Sequence, residues 1–192
     1  MTNKYDEEKV EKAITLLVEG IGDTLSREDT MDTPKRCVKM FKEILAGYDV
    51  DPKKYIKTFP TKSTSAVILR NVPIYSYCAH HLQPFYGKIT IGYIPDGRVL
   101  GLSKLVRIAR VFAKRLQLQE NLTQQIAECI EKNVPNKGVA VSIKAQHMCM
   151  AIRGIRSPGS ETVTTHLTGR FKDDDNQRRE FIMSLSDKEG YN

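Results

Sequence analysis

The hydrophobic spacing of the chain changes character near Ser65. Upstream, Val10, Ile14, Leu17 and Ile21 recur at helical intervals and predict an amphipathic helix from about Asp6 to Leu25. "DTPKR" then predicts a second helix, with Thr33 as N-cap and Pro34 at the first helical position. Cys37, Met40, Phe41, Ile44 and Tyr48 continue its apolar stripe, and Gly47 reads as its stop. Downstream, "SAVILRNVPIYSY" and "FYGKITIGYIP" alternate as strands. Ser103 reads as the N-cap of a helix whose face is Leu105, Ile108, Ala109, Phe112 and Leu116. A further helix carries Leu122, Ile126, Cys129 and Ile130. "GVAVSIKAQHMCM" and "ETVTTHLTGRF" alternate as two more strands before a charged, helical tail. The class is therefore α+β: a helical extension over residues 1–60, then a ββααββ domain over residues 61–192.

Scarce residue types gather at two strand ends. The chain has four cysteines and four histidines, yet "YCAHHLQPFYG" (Tyr77–Gly87) and "QHMCM" (Gln146–Met150) together hold two of the cysteines and three of the histidines. If the strand starting at Gly138 runs on, His147, Cys149 and Arg153 share one side, and Met148 and Met150 face the core. Cys78, one histidine of the pair His80/His81, and Cys149 then offer three ligands suited to Zn²⁺. Spacing does not choose between the two histidines. Three protein ligands leave a position for water, the pattern of a catalytic site, and zinc lowers the pKa of bound water to about 7. The remaining histidines are free to carry protons. Cys37 and Cys129 lie on helical apolar stripes and read as buried thiols.

A formal charge of +7 favours an anionic partner, either nucleic acid or a phosphorylated small molecule. "GLSKLVRIAR" puts Ser103, Lys104 and Arg107 in the first turns of a helix, where free N–H groups and the dipole favour phosphate. "GRVLGLSK" does not have P-loop spacing. Basic residues are not massed on one stripe with aromatics, which disfavours nucleic acid. Gln119 and Glu120 open the next helix, and a carboxylate suits the two adjacent donors of a guanine edge. No apolar run is long enough to cross a bilayer, and the acidic start lacks the apolar middle of a secretory signal, so a cytoplasmic location is expected.

"CAHHLQPFYGK", "GLSKLVRIAR", "LQLQENLTQQIA", "HMCMAIRGI" and "TVTTHLTGRF", in this order, resemble the GTP cyclohydrolase I family from about Thr33 to Phe181. The resemblance implies a tunnelling-fold (T-fold) catalytic domain, with five ββααββ units closing a barrel and two rings stacking into a homodecamer. It implies zinc on Cys78, His81 and Cys149, catalytic roles for His80 and His147, and help from Ser103 in the ribose steps. It also implies guanine held by Glu120 with Gln119, and ribose and triphosphate held by Ser103, Lys104, Arg107 and Arg153. The implied reaction is hydrolysis of GTP at C8 of its guanine ring, releasing formate and forming 7,8-dihydroneopterin triphosphate, the entry to pterin and tetrahydrofolate synthesis. Two positions depart from the family pattern: Ala79 replaces an acidic residue, and Asn121 replaces the arginine after the guanine-anchoring glutamate. A pterin synthase or nitrile reductase of the same fold, a zinc-stabilised nucleic-acid module and an inactive nucleotide sensor are the competing readings.

Overall fold

The computed structural model describes residues 4–186. The chain divides into two compact units between Val50 and Asp51. In the first, α1 (Glu7–Gly20) starts at Asp6, whose carboxylate accepts from the Lys9 N–H, and carries Glu7 and Glu8 against the positive end of the helix dipole. It ends earlier than its apolar spacing suggests, at two closely placed glycines, the second with φ +86°. The second helix, α2 (Thr33–Ile44), has Asp32 as its N-cap, so Thr33 and Pro34 both lie inside the first turn. The N–H that proline lacks is one of the four a helix leaves unbonded there in any case. Tyr5 donates to the Val38 carbonyl at 2.8 Å, and Lys42 meets Glu7 at 2.5 Å, tying α1 to α2. A 3₁₀ turn follows at Ala46–Asp49.

The second unit opens with a 3₁₀ turn at Pro52–Tyr55 and a small two-stranded sheet of β1 (Thr58–Pro60) with β4 (Arg98–Leu100). Its frame is a five-stranded sheet. The strands are β2 (Val67–Cys78), β3 (Pro84–Pro95), β5 (Leu116–Gln117), β6 (Asn136–His147) and β7 (Thr162–Leu167), in the order β5-β2-β3-β6-β7. Only the β2–β5 pairing is parallel. Between β4 and β6 come α3 (Leu102–Ala113) and α4 (Gln119–Asn133), so the expected ββααββ order is present.

Period-two alternation decides what each face does. Ile74, Ser76 and Cys78 of β2 point to the helix side, as do Phe85, Ile89, Ile91 and Tyr93 of β3 and Val139, Val141, Ile143 and Ala145 of β6. They pack against Leu105, Ile108 and Phe112 of α3 and Leu122, Ile126 and Ile130 of α4. Burying each such aliphatic or aromatic side chain is worth about 1.5–3 kcal/mol, so this layer dominates the unit's stability. Gly87 permits close packing of β3 on β6, because a Cβ there would lie 1.9 Å from the Lys144 carbonyl oxygen.

Among the described residues of this unit, the opposite face is covered at one end only. There Ile94 and Ala140 pack beneath Phe171 of α6 (Arg170–Asp173) and Phe181 of α7 (Asp175–Ser184). At the other end Tyr75 and Tyr86 stack with ring centroids 6.5 Å apart, and an open hollow of about 350 Å³ runs past Lys88 and Lys144. Cys129 is buried as expected, and burial pushes its thiol pKa up, whereas Cys37 is only half-buried.

Further expectations are corrected. Leu116, expected on the α3 face, lies beyond the end of that helix in β5. Ser103 is the second residue of α3, not its cap; Gly101 holds the cap position and no side chain bonds there. Strand alternation also stops at His147, and Met148–Ala151 form a helical turn, α5. The ladder has run out: β3 offers its last partner at Phe85, and β7 begins opposite Ala145. Backbone groups beyond must bond locally, as Ile152 N–H does to Met148 O at 3.1 Å. Met150 consequently points outward and is exposed instead of entering the core.

Candidate active site

The end of β2 and the turn after it build the first wall. Cys78 N–H donates to Gln83 O at 2.8 Å, and the Cys78 carbonyl accepts from Leu82 N–H at 2.9 Å and His81 N–H at 3.3 Å. Closing so tight a turn forces Leu82 to φ +55°. It also folds both histidines back over the cysteine. The ligand atoms of Cys78, His80 and His81 all lie within 4.8 Å of one another, and Cys78 Sγ is 3.7 Å from His81 Nδ1. Tetrahedral zinc, with bonds of about 2.3 Å to sulfur and 2.0–2.1 Å to nitrogen, separates two such ligands by roughly 3.5 Å, so the donor set fits a metal of this size. Cys149, on α5, reaches the same place. Burial and the adjacent Cys78 thiol push its pKa up, while the Arg153 charge pulls the other way. A cation bound between the two sulfurs would take up the negative charge that this setting disfavours on Cys149.

The second wall comes from β5 and α4. The short parallel pairing of Cys78 with Gln117, and a bond from Ala79 N–H to Gln117 O at 3.0 Å, carry the chain past the cluster just before α4 begins. Gln117 is itself anchored, donating to Phe112 O and Gln125 Oε1, each at 3.0 Å. That places Gln119 against the ends of β6 and β7. His147 Nε2 lies 2.8 Å from Gln119 Oε1, and the ring stacks on Phe85 at 4.6 Å. Burial lowers the His147 pKa, and the neighbouring Glu120 carboxylate partly offsets this.

The structure thus gathers Cys78, His80 and His81, sets Cys149 against Cys78, and places His147 beside Gln119 and Glu120. Ser103, Lys104 and Arg107 stand at the start of α3, where Lys104 N–H bonds to Gly101 O and Arg107 lies over the Tyr55 ring at 5.7 Å. Arg153 is exposed in the loop after α5. Sequence reasoning did not single out Phe85, Thr164 or Tyr55. Only strand register and the packing of distant segments reveal that these residues contact the candidate site side chains.

Fold and site together define an α+β T-fold domain with a cysteine–histidine cluster able to take a metal. The sequence matches the family GTP cyclohydrolase I over residues 10–186. It is 49% identical over 185 residues to a GTP cyclohydrolase 1 of Streptococcus agalactiae serotype V, covering 95% of this chain and 98% of that protein. Identity to a GTP cyclohydrolase 1 of Clostridium perfringens is 42% over 182 residues, covering 94% and 98% respectively. For that of Pelotomaculum thermopropionicum it is 47% over 170 residues, covering 88% and 90%. The chain belongs to the GTP cyclohydrolase I family. Among the described residues, no helix is long and apolar enough to cross a membrane.

Proposed function

We propose that this protein hydrolyses GTP at C8 of the guanine ring, releases formate and closes the product to 7,8-dihydroneopterin triphosphate, in the cytoplasm. The observation that carries the reading is the Cys78–His80–His81 cluster, with the Cys149 thiol against it, in a chain matching its relatives along nearly their whole length. Cys78, His81 and Cys149 would hold Zn²⁺, since two thiolates and an imidazole form a borderline-soft donor set. When bound, the ion supplies a Lewis acid that acidifies water at neutral pH.

The remaining work falls to the chain's own side chains. Glu120 accepts from the adjacent donors of the guanine edge and so fixes which purine enters. His147 is kept neutral near pH 7 by burial, and it takes and returns a proton as the imidazole ring of the substrate opens. His80 and Ser103 assist proton movement when the ribose opens and rearranges. Lys104, Arg107 and Arg153 bind triphosphate at the start of α3 and in the loop after α5, which favours a phosphorylated anion over bare base.

The active particle is a homodecamer of two stacked pentamers. Two features support assembly: the half-covered sheet face, and the exposure of His80, His81, Glu120, Arg107 and Arg153 on a single chain. The test is direct. Pure protein incubated with GTP should yield stoichiometric formate and a dihydropterin that becomes fluorescent on oxidation; absence of both from metal-replete protein overturns the reading.

A further inference from the structure

Gln119 differs from its neighbour Glu120 in one decisive respect: it is 2% exposed, whereas Glu120 faces solvent. Both ends of its amide are engaged. Nε2 donates to Ile143 O at 3.0 Å, Thr162 O at 3.0 Å and Thr164 Oγ1 at 3.1 Å. Two of these partners are backbone carbonyls, which only accept, so the amide nitrogen must face them. Oε1 is thereby turned to His147 Nε2 at 2.8 Å. An amide oxygen accepts, so His147 Nε2 carries the hydrogen, and in the neutral ring Nδ1 keeps the lone pair.

The surrounding hydroxyls close this arrangement. Thr123 Oγ1 donates to Gln119 O at 2.8 Å, which uses its only hydrogen. Thr164 Oγ1, 2.6 Å from Thr123 Oγ1, must then donate to it and is left to accept from the Gln119 amide. The amide nitrogen has two hydrogens for these three acceptors, so one hydrogen is shared, and flipping the amide would instead point an oxygen at the two carbonyls.

We infer that Gln119 is a positioning residue for His147, fixing the ring as its Nε2–H tautomer and setting its orientation, and that the base edge of the substrate is left to Glu120. This rests on the proposed GTP chemistry for its catalytic consequence, but not for the tautomer itself. Locking one tautomer matters because a histidine that moves protons must present its lone pair at the same atom in every turnover.

The experiment uses metal-replete protein labelled with ¹⁵N-histidine, with the His147 signals assigned by their disappearance in His147→Asn. Magic-angle-spinning NMR near pH 8 should show His147 of the wild type protonated at Nε2 and bare at Nδ1. In Gln119→Leu this single-tautomer signature should be lost. In steady-state kinetics, Gln119→Leu should lower kcat by on the order of tenfold to a hundredfold, less than the roughly 10²–10⁴-fold a general acid–base group itself supplies, with KM for GTP changed less than about twofold. Thr164→Val, which removes one anchor of the amide and leaves Gln119 in place, should lower kcat less and in the same direction, and it stands in if Gln119→Leu does not fold. An Nδ1–H tautomer in the wild type, or a Gln119 or Thr164 variant that raises KM with kcat unchanged, overturns the inference. Failure of the wild type to release formate from GTP instead removes the proposed function and leaves the tautomer result standing.

Discussion

Phe85 and His147 are register partners on neighbouring strands, and their rings lie face to face with centroids 4.6 Å apart and planes within 10°. Phe85 is fully buried among the residues of the main core, so it acts as a fixed floor beneath the histidine. Replacing it should do two separable things. Phe85→Ala should cost about 3–5 kcal/mol of stability, the usual penalty for emptying an aromatic core site. Phe85→Leu keeps most of the volume, so it should melt close to the wild type yet turn over GTP more slowly, because His147 loses its stacking partner. Thermal melts read the first effect and formate release the second; a Phe85→Leu enzyme of full activity would show that the stack is packing alone.

The two histidines of the β2–β3 turn should separate by function. His81→Ala should strip most of the metal, because it removes one of three proposed ligands, whereas His80→Ala should keep the metal and lose turnover. Elemental analysis beside a GTP assay distinguishes them. Metal loss in His80→Ala with retention in His81→Ala would exchange the two assignments.

Glu120→Ala should weaken GTP binding severely while leaving metal content unchanged. Each donor of the guanine edge left unpaired in the bound state costs about 1–3 kcal/mol. A binding titration that finds GTP affinity intact would remove Glu120 from the base site.

Chelation should reach beyond activity. A metal held through Cys78 and Cys149 would tie the end of β2 to α5, so a chelator should lower the melting temperature as well as abolish turnover, and zinc should restore both. Turnover lost without any change in melting would mean that the ion does not tie these elements together.

The half-covered sheet predicts assembly. Light scattering should find a particle about ten times the 21.8 kDa chain. Dilution below the association range should abolish turnover together with assembly, because residues exposed on one chain would complete a pocket shared with the next. A stable, fully active monomer would contradict both the barrel and the shared site.

The residues by themselves determined the order of elements, the class of fold and the chemistry on offer. Period-two and helical spacing are local properties, set by side chains a few positions apart, and β2, β3, α3, α4, β6 and β7 all appear in the expected order, though α3 ends before Leu116 and β6 before Met148. The cysteines and histidines pointed to a metal site by type and clustering, and the structure gathers Cys78, His80 and His81. Register was not local. That Phe85 lies opposite His147, and that Gln117 pairs with Cys78, follows from ladders between distant segments, which no short window of sequence contains. The break after His147 shows the same limit, for the alternation of "QHMCM" continues in the sequence, but the strand stops where its neighbours cease to offer backbone partners. Gln119 and Glu120 look alike as adjacent polar residues at a helix start. Only the packing of α4 against β6 and β7 buries the first beside His147 and leaves the second facing solvent, because burial belongs to the neighbours a residue acquires on folding.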